Sequence, residues 1–197
     1  MILLDGRWNR GPLIPDTRTD EERAAMGLSG SMGHQTNNDP DASMLGDEQW
    51  QWLEQQLKMP ADVRLVCSGT QVVNDTKGMQ EWGNFPLERQ RLFDLIRTAN
   101  ANGVVFLSGN VHYAELCSAD GGPYPLYDFT SSGMTHSSPA YAEYLNPYRV
   151  GAASVEFNFG LVDVHWNDSG SPSLAFRINT LGGGSELVHE ISLNQLA

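Results

Sequence analysis

The chain of 197 residues carries 24 acidic against 12 basic side chains, a formal net charge of -12, with 40% hydrophobic residues. Length and apolar content suit one globular domain, residues 1–197, and the acidic balance with no cluster of Lys or Arg excludes nucleic acid as a stable partner. No apolar run approaches a membrane span, and MILLDGRWNR lacks a basic segment followed by a long apolar core, so neither a membrane partner nor a signal peptide is expected in these residues.

In chain order, Ile2 to Leu4 read as a buried strand whose carboxyl end presents Asp5, Arg7 and Arg10. Residues 11–43, rich in Gly, Pro, Asp, Asn and Ser without periodicity, predict a long loop in which His34, Asp39 and Asp41 are solvated. In LGDEQWQWLEQQL, Trp50, Leu53 and Leu57 share one helical face, with Asp47 as the expected N-cap. VRLVC reads as an interior strand running into SGTQ. A second helix begins near Pro86, buries Leu92, Leu95, Ile96 and Ala99, and is expected to end at Gly103. VVFLS is the next strand. This strand, helix, strand order predicts a right-handed parallel crossover, with SGTQ and SGNVH at the carboxyl ends where ligands of open α/β sheets gather.

Beyond it, PLYDFTSSG, SVEFNFGLVDVHW, SLAFRINTL and LVHEISL read as strands with turn signals such as NDSG, so the last third is expected to be mostly antiparallel. Cys67 and Cys117 have no CxxC spacing and read as free thiols, a disulfide between them being the other reading.

The chemistry concentrates in FLSGNVHYAEL. Asn110 and His112, just past a buried strand, can present an oxygen and a nitrogen to one ion, and Gly109 is expected to let the backbone turn. A histidine that only hydrogen-bonds within the turn is the bland alternative. The segment resembles the SGDxHxAE-type signature of PhoD-like alkaline phosphatases, a branch of the metallophosphoesterases. LLDGRWNR, MLGDEQWQWLEQQL, VRLVCSGTQV, EWGNFPLERQRLFDLI and YPLYDFTSSGMTHS agree with that family in order and spacing.

The resemblance implies a partial metallophosphoesterase-like α/β sandwich and metal-dependent hydrolysis of small phosphate mono- or diesters, with divalent or ferric ions (calcium, iron, manganese or zinc) as cofactors. It makes His112 a metal ligand and puts Asn110 where the family usually has aspartate, a neutral substitute that cannot accept a proton. Both are the candidate catalytic and metal residues. Arg7 and Arg10 are candidate phosphate clamps, Gln71 a further candidate substrate contact, and Tyr113 and Glu115 are expected to support His112 or satisfy the turn.

The family's earlier half, with its first metal aspartates, is not found upstream of LLDGRWNR, and the D-x-H pattern of Asp163 and His165 falls in a late strand where structure is the expected role. Half a sandwich would expose apolar surface that a homo-oligomer would bury. Family members are often exported. A serine esterase built from Ser108, Ser131 or Ser132 with His112 or His136 and Asp128 is the competing enzyme reading, although no G-x-S-x-G elbow is present. A non-catalytic remnant that binds metal or phosphate is the third.

Overall fold

The computed structural model describes residues 1–26, 33–143, 145–166 and 172–197. Its centre is a six-stranded sheet containing β1 (Ile2–Leu4), β4 (Arg64–Ser68), β5 (Val104–Ser108), β6 (Ala114–Ala119), β7 (Leu126–Ser131) and β8 (Arg149–Ser154), in the spatial order β1-β4-β5-β7-β6-β8. β1, β4, β5 and β7 are parallel, so their carboxyl ends lie along one edge, while β6 runs antiparallel to both β7 and β8. The expectation of an antiparallel last third therefore needs one correction: PLYDFTSSG forms β7, which pairs parallel to β5 on one side and antiparallel to β6 on the other.

Two helices cover one face. α2 (Asp47–Leu57) buries Trp50, Leu53 and Leu57, and α3 (Pro86–Thr98) buries Leu92, Phe93 and Ile96. The helices are tied by Trp50, whose indole N–H donates to Glu88 at 2.8 Å. Phe93 packs against Phe106 of β5 with ring centroids 6.4 Å apart. On the opposite face lies an antiparallel sheet of β9 (Asn158–His165), β10 (Ser173–Thr180) and β11 (Ser185–Ser192), with β10 central. It meets the large sheet through Phe176, which packs on Phe129 at 5.3 Å and on Tyr127 at 6.4 Å. Phe157, Phe159 and Leu161 are partly exposed on and beside β9. The turn predicted at NDSG, residues 167–170, lies outside the described residues.

Several expected details differ. The stretch 11–43 contains α1 (Asp20–Ala25) and a short ribbon of β2 (Ile14–Pro15) with β3 (His34–Gln35). α1 is held by a capping box in which the Thr19 hydroxyl accepts from Glu22 N and the Glu22 carboxylate from Thr19 N. It buries no residue, so no apolar periodicity announced it. The N-cap of α2 is Gly46, and Asp47 is the first helical residue, where its charge favours the helix dipole. α3 closes at Ala99, followed by left-handed Asn100 at φ 52°. Gly103, at φ 66°, instead turns the chain into β5. Both cysteines are free, and Asp163 is ion-paired with Arg177 across the β9–β10 ladder. Among the described residues no helix is long and apolar enough to cross a membrane.

Candidate active site at the carboxyl ends of the parallel strands

Four segments converge at the carboxyl edge of the sheet. Asp5 follows β1 and curls the chain back, its carboxylate accepting from Arg7 N at 2.9 Å and Trp8 N at 3.0 Å. This local turn aims Arg7 across the sheet, where its Nη2 donates to Asn110 Oδ1 at 3.2 Å and its Nη1 to Gln80. Arg10 Nη1 reaches the same Gln80 Oε1 at 3.5 Å. Two arginines and Asn110, far apart in sequence, thus share one surface.

The SGNVH turn itself is strained. Asn110 (φ 76°) and His112 (φ 60°) both occupy the left-handed region, which costs non-glycine residues about 1–3 kcal/mol each. Gly109 does not have a positive φ, so the expected tight turn is made by the two functional residues. The surroundings hold them there. Val111 between them is buried with Met79 and Tyr113, His112 N donates to Ser132 Oγ at 2.9 Å, and Ser138 N donates to the His112 carbonyl at 2.9 Å. With Val111 as the anchor, Asn110 is exposed and the half-buried His112 ring lies edge-on to that of His136, centroids 4.7 Å apart.

The electrostatics favour an anion at the arginines. Among the described residues, the arginines in ion pairs are Arg18, Arg23, Arg89, Arg91, Arg97, Arg149 and Arg177; Arg7 and Arg10 are not among them. Partial burial, and then repulsion from Arg7, lower the pKa of Arg10 from its ordinary value. In a protein of net charge -12, two adjacent guanidinium groups held by neutral carboxamides stand out as a positive spot.

Gln71, Tyr113 and Glu115 lie beneath this surface. The structure puts Gln71 wholly inside, where its amide donates to Glu115 (2.8 Å) and Thr130 (2.9 Å) and accepts from Lys77 (3.0 Å), so no part of it faces a substrate. Glu115 is equally buried. It accepts from Lys77 at 2.6 Å, Arg149 at 2.7 Å, Tyr113 at 3.0 Å and Asn146 at 3.1 Å. Burial alone would raise its pKa, but the charge and hydrogen bond of Lys77, the Gln71 amide and Arg149 outweigh that and bring it to about 2. Burial, then the Glu115 charge, pushes the Tyr113 phenol up. This network fastens the loop after β4 to β6, so it supports the SGNVH turn from beneath. Lys77 and Gln80, the two residues of that loop that matter most, sit in NDTKGMQEWG, which has neither periodicity nor motif to single them out.

The serine constellation does not assemble. Ser108 Oγ donates to Asp128 at 2.6 Å, Ser131 Oγ bonds Asn158 at 3.0 Å, and Ser132 Oγ bonds Tyr113 O and His112 N, so each hydroxyl finds its partners away from an imidazole ring. Asp128 is fully buried and also caps the backbone N–H groups of Val72 (2.6 Å) and Val73 (3.0 Å), a structural task. His34 lies on the β2–β3 ribbon, where its backbone N–H donates to the Gly78 carbonyl at 3.2 Å, so its backbone helps hold the loop that carries Gln80.

As metal donors, the His112 and His136 imidazoles and the Asn110 oxygen make the edge of a centre and not a whole one. Among the described residues no group of three or more His, Cys, Asp or Glu is placed to hold an ion. Arg7 also takes one lone pair of the Asn110 oxygen and brings positive charge to it, which leaves His112 the better donor of the two.

The family profile described as PhoD-like phosphatase matches residues 1–148. Alkaline phosphatase D of Bacillus subtilis (strain 168) is 28% identical over 109 residues, which span 50% of this chain and 18% of that protein. A solved structure described as "Structure of PhoD" superposes with a TM-score of 0.58 at 17% identity, covering 96% of this chain and 41% of that one. At that identity the likeness is one of fold. The chain spans less than half the length of either relative.

Proposed function

The chain belongs to the PhoD-like phosphatase family, and from that premise we propose that it acts in hydrolysis of phosphate mono- or diesters, contributing the oxyanion-binding arginines and one histidine donor of the reaction site. We read its two packed sheets as part of a metallophosphoesterase sandwich. The observation that carries the proposal is the bond from Arg7 to Asn110, which joins the segment after β1 to the signature turn and sets a cationic spot on the turn that carries His112.

In this reading Arg7 and Arg10 bind the phosphoryl oxygens and offset the charge that builds on them as the ester bond breaks. Gln80 and Asn110 keep the guanidinium planes aligned, and the left-handed turn presents His112 toward the same surface. A divalent or ferric ion bound partly by His112 would supply Lewis-acid polarisation and an activated hydroxide. The remaining donors of a bimetallic centre would come from outside the described residues. We also read the partly exposed Phe157, Phe159 and Leu161 as the face a second copy would cover, which sedimentation velocity tests directly.

Metal content of the purified protein, measured with hydrolysis of an aryl phosphate before chelation, after chelation and after metal return, tests the proposal. Chelator-sensitive turnover restored by metal is expected. Turnover that survives chelation and is blocked by a phosphonate bound to one serine would replace it with the serine-hydrolase reading.

A further inference from the structure

Resting on that phosphoester reading, the structure assigns Gln80, together with Asn110, to a cradle of donors that takes the dianionic phosphate of a monoester: both carboxamides turn their oxygens to the arginines and their N–H groups to the substrate. The orientation follows from what guanidinium groups can do. They have donors only, so an amide held against one must present its oxygen. Gln80 Oε1 meets Arg7 and Arg10, and Asn110 Oδ1 meets Arg7 from the other side. Each amide nitrogen is thereby turned away from the arginines, beside two unneutralised cations.

The loop holds Gln80 firmly enough for this role. Its neighbour Met79 is buried with Val111 of the signature turn, and on its other side Glu81 accepts from Lys77 N at 3.2 Å and Gly78 N at 3.1 Å. Gly78, at φ 64°, lies so near the ribbon that a Cβ would stand 2.7 Å from the His34 carbonyl oxygen. Beneath the loop, Lys77 is fastened to Glu115 at 2.6 Å. A rigid support of this kind fixes a binding side chain within the tolerance that recognition needs.

The neutral state of Gln80 is the point. A carboxylate between Arg7 and Arg10 would cancel the charge that attracts the substrate, whereas an amide orders both cations and leaves their charge in place. A site built only from donors rewards the ligand with the most charged, unprotonated oxygens. A monoester dianion has three non-bridging oxygens and two charges, and a diester has two such oxygens and one charge, so the cradle selects monoesters.

Binding of inorganic phosphate and of dimethyl phosphate, followed by calorimetry at a pH where phosphate is dianionic, tests the assignment on the wild type and on Gln80→Glu, Gln80→Leu and Arg7→Ala. The wild type is expected to prefer phosphate by about tenfold or more, and Gln80→Glu to lose about tenfold in phosphate affinity while its melting temperature stays level or rises. A loop residue with only a structural task would not separate those two readouts. Wild-type phosphate affinity in Gln80→Glu, or equal affinity for the two ligands, would overturn the assignment while leaving the arginine site in place. Undiminished phosphate binding by Arg7→Ala would instead sink the phosphoester reading and this inference with it.

Discussion

Lys77 Nζ lies 2.6 Å from Glu115 Oε1, and neither side chain is exposed to solvent. The pair joins the loop that carries Gln80 to the strand that follows His112, so the geometry of the site depends on a contact no substrate touches. Lys77→Met is expected to cost about 3–5 kcal/mol in unfolding free energy, the range for removing one partner of a buried pair, with Arg149 at 2.7 Å softening the loss toward the lower end. Urea denaturation measures it; a loss under about 1 kcal/mol would show that the pair is not closed to water.

Glu81 makes stability depend on pH in the opposite sense from most carboxylates. Burial pushes its carboxyl from an ordinary 4.5 to about 8, against the weaker lowering effect of Lys77, and among the described residues its Oε2 has no hydrogen-bond partner. Between those two values the folded protein holds a proton that the unfolded chain releases, so this group's contribution falls as pH rises from about 4.5 to about 8 and is constant above. Glu81→Gln removes the effect. Its stability advantage over the wild type is expected to grow across that window by an amount on the order of a few kcal/mol, read from melts at successive pH values.

Arg7 bridges Gln80 and Asn110 with two different nitrogens, and a lysine ammonium cannot hold that fork. Arg7→Lys is therefore expected to lower aryl phosphate kcat/KM by about tenfold or more, nearly as far as Arg7→Ala. Full activity in Arg7→Lys would show that charge alone suffices.

Gly103 sits at φ 66°, where an added Cβ would lie 2.0 Å from the Asp62 carbonyl oxygen. Both the conformation and the clash with backbone oppose a side chain, so Gly103→Ala is expected to destabilise by about 1–3 kcal/mol or more, seen as a lower melting temperature.

Much of the scaffold was legible because burial leaves a period. Trp50, Leu53 and Leu57 announce α2, Leu92 and Ile96 announce α3, and the unbroken apolar runs of VRLVC and VVFLS announce interior parallel strands. The exposed α1 carries no such period, although the T-D-E-E sequence at its start is a capping-box signal. β7 was placed correctly as a strand but not in its pairing, since direction depends on which neighbours the crossovers reach. At the site, Arg7 and Asn110 are in direct contact and Arg10 shares Gln80 with Arg7, while His112 stands two residues along the same turn beside His136. Gln71, by contrast, follows a strand end yet points inward, a choice made by Lys77 and Glu115, whose pairing spans 38 residues and leaves no local trace.

A titration of inorganic phosphate into isotopically labelled protein, with amide and side-chain shifts followed by NMR, bears most directly on the claim that one anion site is assembled from distant segments. The account predicts saturable changes confined to Arg7, Arg10, Gln80, Asn110 and His112, with the Gln80 and Asn110 side-chain NH2 signals moving together. Changes centred elsewhere, or none at phosphate concentrations that inhibit turnover, would contradict it.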